Sequence, residues 1–69
     1  MIRRGFDIEI KCAHRSAQEG RMDAMARHLT AAHSLALWAD MSLLADYDRH
    51  EAECWQEYKA WKTTNRKSA

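Results

Sequence analysis

The scarcity of helix-breaking residues is the feature that most constrains this fold. Proline is absent, and the only glycines are Gly5 and Gly20. Backbone chemistry alone therefore interrupts no helix beyond residue 20. The same region is rich in Ala, Leu, Met, Glu, Gln, Lys and Arg, which are strong helix formers. The sequence therefore predicts an all-α fold.

The chain length limits both stability and function. A chain of 69 residues forms one domain, here 1–69. A single core of this size supplies only about 3–5 kcal/mol, so small folds add disulfides, metals or a partner chain. An enzyme fold with its own cleft does not fit this length, and no cofactor motif is present. We therefore predict a non-enzymatic protein without a cofactor or a metal.

Two long helical segments predict an antiparallel hairpin. Ser16 and Glu19 have the spacing of a capping box at a helix start. A turn near residue 40 follows, where Asp40 or Ser42 caps the next helix. The predicted segments are an N-terminal arm at 1–15, helix 1 at 17–38, helix 2 at 42–63 and a basic tail at 64–69. Gly20 either weakens helix 1 or moves its start to Arg21, and one unbroken helix over 17–63 is the alternative to the hairpin.

Both predicted helices have apolar faces too broad for one partner helix to cover. A symmetric dimer that forms a four-helix bundle is the simplest arrangement that covers them. The predicted core and dimer residues are Met22, Met25, Leu29, Ala32 and Ala36 on helix 1, and Leu44, Tyr47, Cys54, Trp55, Tyr58 and Trp61 on helix 2.

The N-terminal arm contains a short alternating pattern. Apolar and polar residues alternate over 6–11, which predicts either a short strand or an early helical turn. A strand would need a twin from a second chain, as in a ribbon-helix-helix DNA-binding dimer, where Arg3, Arg4 and Lys11 would contact DNA. The net charge of +1 and the acidic middle of the chain argue against direct nucleic-acid binding.

Two polar sets could support chemistry. Cys12, His14, His50 and Cys54 resemble a zinc set, but their spacing matches standard zinc motifs only in part. We interpret Cys54 instead as a small core residue. Hairpin geometry places residues 50 and 54 far from residue 12.

The second polar set is a predicted buried pair. Glu51 falls on the apolar arc of helix 2, where a carboxylate needs a donor. His28 lies level with it on helix 1. We interpret the pair as a structural contact that fixes helix register rather than as a general base with its orienting residue.

The predicted turn is unusually apolar, and helix 2 is acidic beyond it. Turns are normally exposed and polar, whereas Trp and Met are typical of interface cores. The predicted partner-binding residues are Trp38, Met41 and Leu43 at the turn, with Asp46, Asp48, Glu53 and Glu57 on helix 2. The alternative is that Trp38 and Leu44 close the end of the bundle. An acidic face complements a basic surface on a partner protein.

The sequence predicts a cytoplasmic protein. No apolar run approaches the roughly 18 residues of a membrane span, and charged residues occupy the place of a signal-peptide core. Two cysteines without such a signal are typical of reduced cytoplasmic thiols.

The chain resembles the small anti-quorum-sensing proteins of Pseudomonas phages. The resemblance rests on length, on the two-helix layout of 17–38 and 42–63, and on the character of RHLTAAHSLALW and DRHEAECWQEYKAW. It implies a small helical dimer in a bacterial host that binds a LuxR-type transcription factor, blocks its DNA binding and also inhibits a type IV pilus assembly ATPase. It carries over no individual functional residue.

Overall fold

The described part of the chain forms three antiparallel helices. The computed structural model describes residues 2–39 and 41–65, which form α1 (Ile2–Gln18), α2 (Met22–Ala39) and α3 (Met41–Asn65). Each helix packs on both others, in a bundle of 43 × 16 × 14 Å. The described residues contain no strand. The all-α class is confirmed, but the two-helix hairpin is wrong.

Helix α1 replaces the predicted arm and strand. Phe6, Ile10, Ala13 and Ala17 recur at intervals of four and three residues, which is the period of one helix face. All four are buried, whereas Ile8, which an alternating strand would turn inward, is exposed. Burial of this stripe against the other two helices therefore outweighs the local alternation over 6–11. The ribbon-helix-helix alternative requires a strand at 6–11, and these residues are helical instead.

Gly20 ends α1 and separates it from α2. Its φ of 76° is the left-handed conformation that favours glycine. The Gly20 amide donates to the Ala17 carbonyl at 3.1 Å, and the Arg21 amide donates to the Ser16 carbonyl at 2.8 Å. These two bonds form a Schellman motif, which satisfies the last carbonyls of a helix. The capping box at Ser16 is therefore wrong: Ser16 is buried in the last turn of α1, and the next helix begins at Met22 rather than at residue 17.

The core lies along the axis between the three helices. Its buried members are Phe6, Ile10, Ala13 and Ala17 from α1, Met25, Leu29, Ala32 and Ala36 from α2, and Leu43, Tyr47 and Cys54 from α3. Leu44 and Tyr58 pack against this cluster, and Trp61 lies half-buried over Gly20. Met22 and Trp55, which were predicted as core or dimer residues, are exposed and so lie outside the core of the single chain; their part in a dimer stays a prediction.

Helix α1 also changes the argument for a dimer. The predicted hairpin needed a second copy to cover its apolar faces, but here α1 covers α2 and α3 within one chain. The homodimer remains a prediction, but the need to cover the apolar faces of α2 and α3 no longer supports it. The proposed cap Asp40 and residues 66–69 of the basic tail lie outside the described residues.

Candidate functional site

Three large apolar side chains are exposed where α2 meets α3. Leu37, Trp38 and Met41 are 62%, 83% and 78% exposed. We call these three residues the turn surface. Leu43, which was predicted to belong to it, is instead buried in the core.

The geometry of α2 explains why the turn surface points outward. The buried stripe of this helix ends with Ala32 and Ala36. Successive helical residues are rotated by about 100°, so Leu37 and Trp38 lie about 100° and 200° away from that stripe. Trp38 therefore projects into solvent instead of closing the end of the bundle.

Three of the four acidic residues predicted to bind a partner contact side chains of α1. Asp46 lies 3.6 Å from Arg3 of α1 and 3.8 Å from Arg49 in its own helix. Asp48 is exposed. Glu53 and Glu57 contact His14 of α1. Asp46, Glu53 and Glu57 therefore share one side of α3, as predicted, but this side faces α1, and their role in binding a partner stays a prediction.

A cluster of titratable side chains joins α1 to α3. We call His14, His50, Glu53, Cys54 and Glu57 the histidine cluster. His14 Nδ1 donates to the two carboxylate oxygens of Glu57 at 2.8 and 3.0 Å. His14 Nε2 lies 3.0 Å from His50 Nδ1, and one of these nitrogens donates to the other. Glu53 Oε1 is 3.3 Å from His50 Nδ1 and 3.7 Å from His14 Nε2.

The two cysteines of the predicted zinc set occupy different environments. Cys54 is fully buried, and its thiol lies with His14 and Glu57 in a group whose donor atoms are within 4.8 Å of one another. Burial, followed by the nearby Glu57 carboxylate, raises the pKa of Cys54 to about 11. Cys12 is half-buried on α1 and belongs to neither group of converging donor atoms found among the described residues.

His28 pairs with a different carboxylate from the one predicted. Its Nδ1 donates to Glu9 of α1 at 2.7 Å, because antiparallel packing about the turn at Gly20 places residue 9 level with residue 28. The pair between His28 and Glu51 is therefore wrong. Glu51 is half-buried on α3, where its charge adds to burial in raising the pKa of Tyr47.

The sequence prediction missed the contact between His14 and His50. The hairpin register placed residues 50 and 54 far from the N-terminal arm, which is wrong because α1 packs on α3 and brings His14 to both. The sequence did contain a usable signal, the helical stripe that includes Ala13. His14 directly follows Ala13 and lies at the edge of the buried face of α1. A helix at 2–18 would have directed His14 toward a neighbouring helix.

Similarity to other proteins assigns no role to these residues. Comparison of the chain with protein-family models, curated proteins and solved structures gives no match. None of the helices within 2–39 and 41–65 combines the length and hydropathy that crossing a bilayer requires. The turn surface and the histidine cluster are therefore the features of the described residues that can support a function.

Proposed function

We propose that this chain is a non-enzymatic protein that binds another protein through the turn surface. The observation that supports this proposal is the exposure of Trp38, with Leu37 and Met41 beside it. Tryptophan is enriched among the few interface residues that dominate binding energy. Solvent exposure of such a cluster is costly for an isolated domain, and burial in an apolar pocket of a partner removes that cost.

The resemblance to phage anti-quorum-sensing proteins supplies the partner class. The proposed target is a LuxR-type transcription factor of a bacterial host, in the cytoplasm, with a type IV pilus assembly ATPase as a second target. Occupation of the regulator's surface would block its DNA binding by exclusion. The turn surface is the anchor in this proposal, and the acidic residues on α3 are secondary because Asp46 is already paired with arginines.

A competition assay with purified components tests the proposal. A LuxR-type regulator is bound to fluorescent operator DNA, and the full chain is titrated in while anisotropy is followed. The wild-type chain is expected to bind the regulator and to release the DNA. Trp38→Ala is expected to weaken binding by about 30-fold, the equivalent of about 2 kcal/mol at an interface hot spot.

Trp55→Ala is the matched control. Trp55 is also partly exposed, at 43%, but lies on α3 outside the turn surface. It contacts Tyr58 with ring centroids 6.1 Å apart. The control variant is expected to displace DNA as the wild type does. Equal activity of Trp38→Ala and the wild type would show that the turn surface is not the anchor, and absence of binding by the wild type would reject this target class.

A further inference from the structure

Three nitrogen and oxygen donors from two helices converge in the histidine cluster. They are His14 Nε2, His50 Nδ1 and Glu53 Oε1, and their mutual separations are 3.0, 3.3 and 3.7 Å. Ligands at about 2.0–2.1 Å from a tetrahedral zinc ion lie about 3.3–3.4 Å apart. The three donors already have the spacing of one face of such a tetrahedron.

The surroundings of His14 match those of a histidine ligand to a metal. Histidine ligands commonly donate their second ring N–H to a carboxylate, which fixes the tautomer and directs the other nitrogen at the metal. Here His14 Nδ1 donates to Glu57 at 2.8 Å. That bond leaves His14 Nε2 directed toward His50 and Glu53. Gln18 in turn donates to Glu57 at 3.5 Å and helps to hold the carboxylate.

We propose that His14, His50 and Glu53 bind one Zn²⁺ ion, with Glu57 as the carboxylate that orients His14. Two imidazoles and one carboxylate suit zinc and neighbouring transition metals, whereas Mg²⁺ and Ca²⁺ prefer oxygen ligands throughout. The Glu53 side chain is 47% exposed, so the ion has a route from solvent. The bound ion would connect α1 to α3.

A second group of donors competes for the same histidine. His14, Cys54 and Glu57 also converge within 4.8 Å. We favour the first group because its three donors have tetrahedral spacing and because it leaves Glu57 in its observed contact with His14. The two arrangements predict different effects of removing Cys54 and of removing Glu53.

Calorimetric titration of ZnCl₂ into the metal-free full chain tests the site. We expect one Zn²⁺ per chain, and affinity at least tenfold lower for His50→Ala and for Glu53→Gln. The matched control is His28→Ala, which breaks the other interhelical His–Glu contact, at 2.7 Å, where no third donor converges among the described residues. Its affinity is expected to equal that of the wild type. Far-UV circular dichroism checks that each variant remains helical.

Cobalt spectroscopy separates the two donor groups. Co²⁺ in the proposed site should give visible d–d bands of a tetrahedral ion without a thiolate charge-transfer band, and Cys54→Ala should leave them unchanged. The proposal is overturned if the chain binds no stoichiometric zinc or if His28→Ala loses as much affinity as His50→Ala. Loss of binding in Cys54→Ala together with retention in Glu53→Gln would also overturn it.

Discussion

Alanine at Gly20 should destabilise the bundle through two separate effects. The φ of 76° disfavours any side chain, and the left-handed conformation costs an L-residue about 1–2 kcal/mol. A Cβ at this position would also lie 2.4 Å from the Cε2 and Cζ2 atoms of Trp61. The indole must then leave the turn, and loss of its partial burial costs roughly another 1 kcal/mol.

The expected loss for Gly20→Ala is therefore about 2–3 kcal/mol in the free energy of unfolding. This is a large share of the roughly 3–5 kcal/mol that a core of this size supplies. Urea denaturation followed by circular dichroism measures it. Gly5→Ala is the matched control, because Gly5 lies inside α1 and its Cβ would meet Leu35 Cδ1 at an ordinary 3.4 Å. That substitution should stabilise the protein by up to about 1 kcal/mol.

A double-mutant cycle separates the conformational cost from the steric cost. In a Trp61→Ala background the indole is already absent, so Gly20→Ala should cost only the roughly 1–2 kcal/mol of the backbone conformation. An equal cost in both backgrounds would refute the steric part of the reasoning. A Gly20→Ala protein as stable as the wild type would refute both parts.

Three further predictions concern the core. Phe6→Ala should cost roughly 3–5 kcal/mol, whereas Ile8→Ala should be nearly neutral in the same urea assay because Ile8 is exposed; equal losses would argue against a helical α1. Iodoacetamide should modify half-buried Cys12 much faster than Cys54, as read by mass spectrometry of the metal-free protein, because Cys54 is buried and its thiol pKa is raised to about 11; equal rates would contradict this burial. Burial also raises the pKa of Tyr47 above its ordinary value of 10.0, so its contribution to stability is complete below pH 10 and is lost at higher pH, where the unfolded phenol ionises first. Tyr47→Phe should therefore lose less stability than the wild type between pH 8 and pH 11 in urea titrations, and parallel losses would contradict the shift.

Local sequence predicted the second and third helices better than the first. The absence of breakers after Gly20 and the apolar stripe through Met25 and Leu29 were sufficient for α2. The first helix was missed because Phe6, Ile8 and Ile10 alternate like a strand. Only the tertiary fold decides between the two periods, since a buried face for Phe6 and Ile10 exists when α2 and α3 lie beside α1.

The turn surface and the histidine cluster also differ in how far local sequence could predict them. The place of Trp38 and Met41 beside a turn is a local property of the sequence, but the sequence left open whether Trp38 is exposed or closes the end of the bundle, and the structure shows it exposed. The contact between His14 and His50 depends on how α1 packs against α3, across 36 positions of sequence. The hairpin register had no place for α1, so it could not bring the two histidines together.

The order of the helices has a consequence for how quickly the chain reaches its native state. In the described part of the chain α1 packs on α2 and α2 on α3, with α1 also against α3, and Gly20 forms the tight connection between the first pair. Helical bundles with such local contacts fold within microseconds to milliseconds. Their intermediates expose no unpaired strand edges, which limits aggregation during synthesis. A newly made chain of this kind is therefore expected to present its turn surface to a partner almost as soon as translation ends.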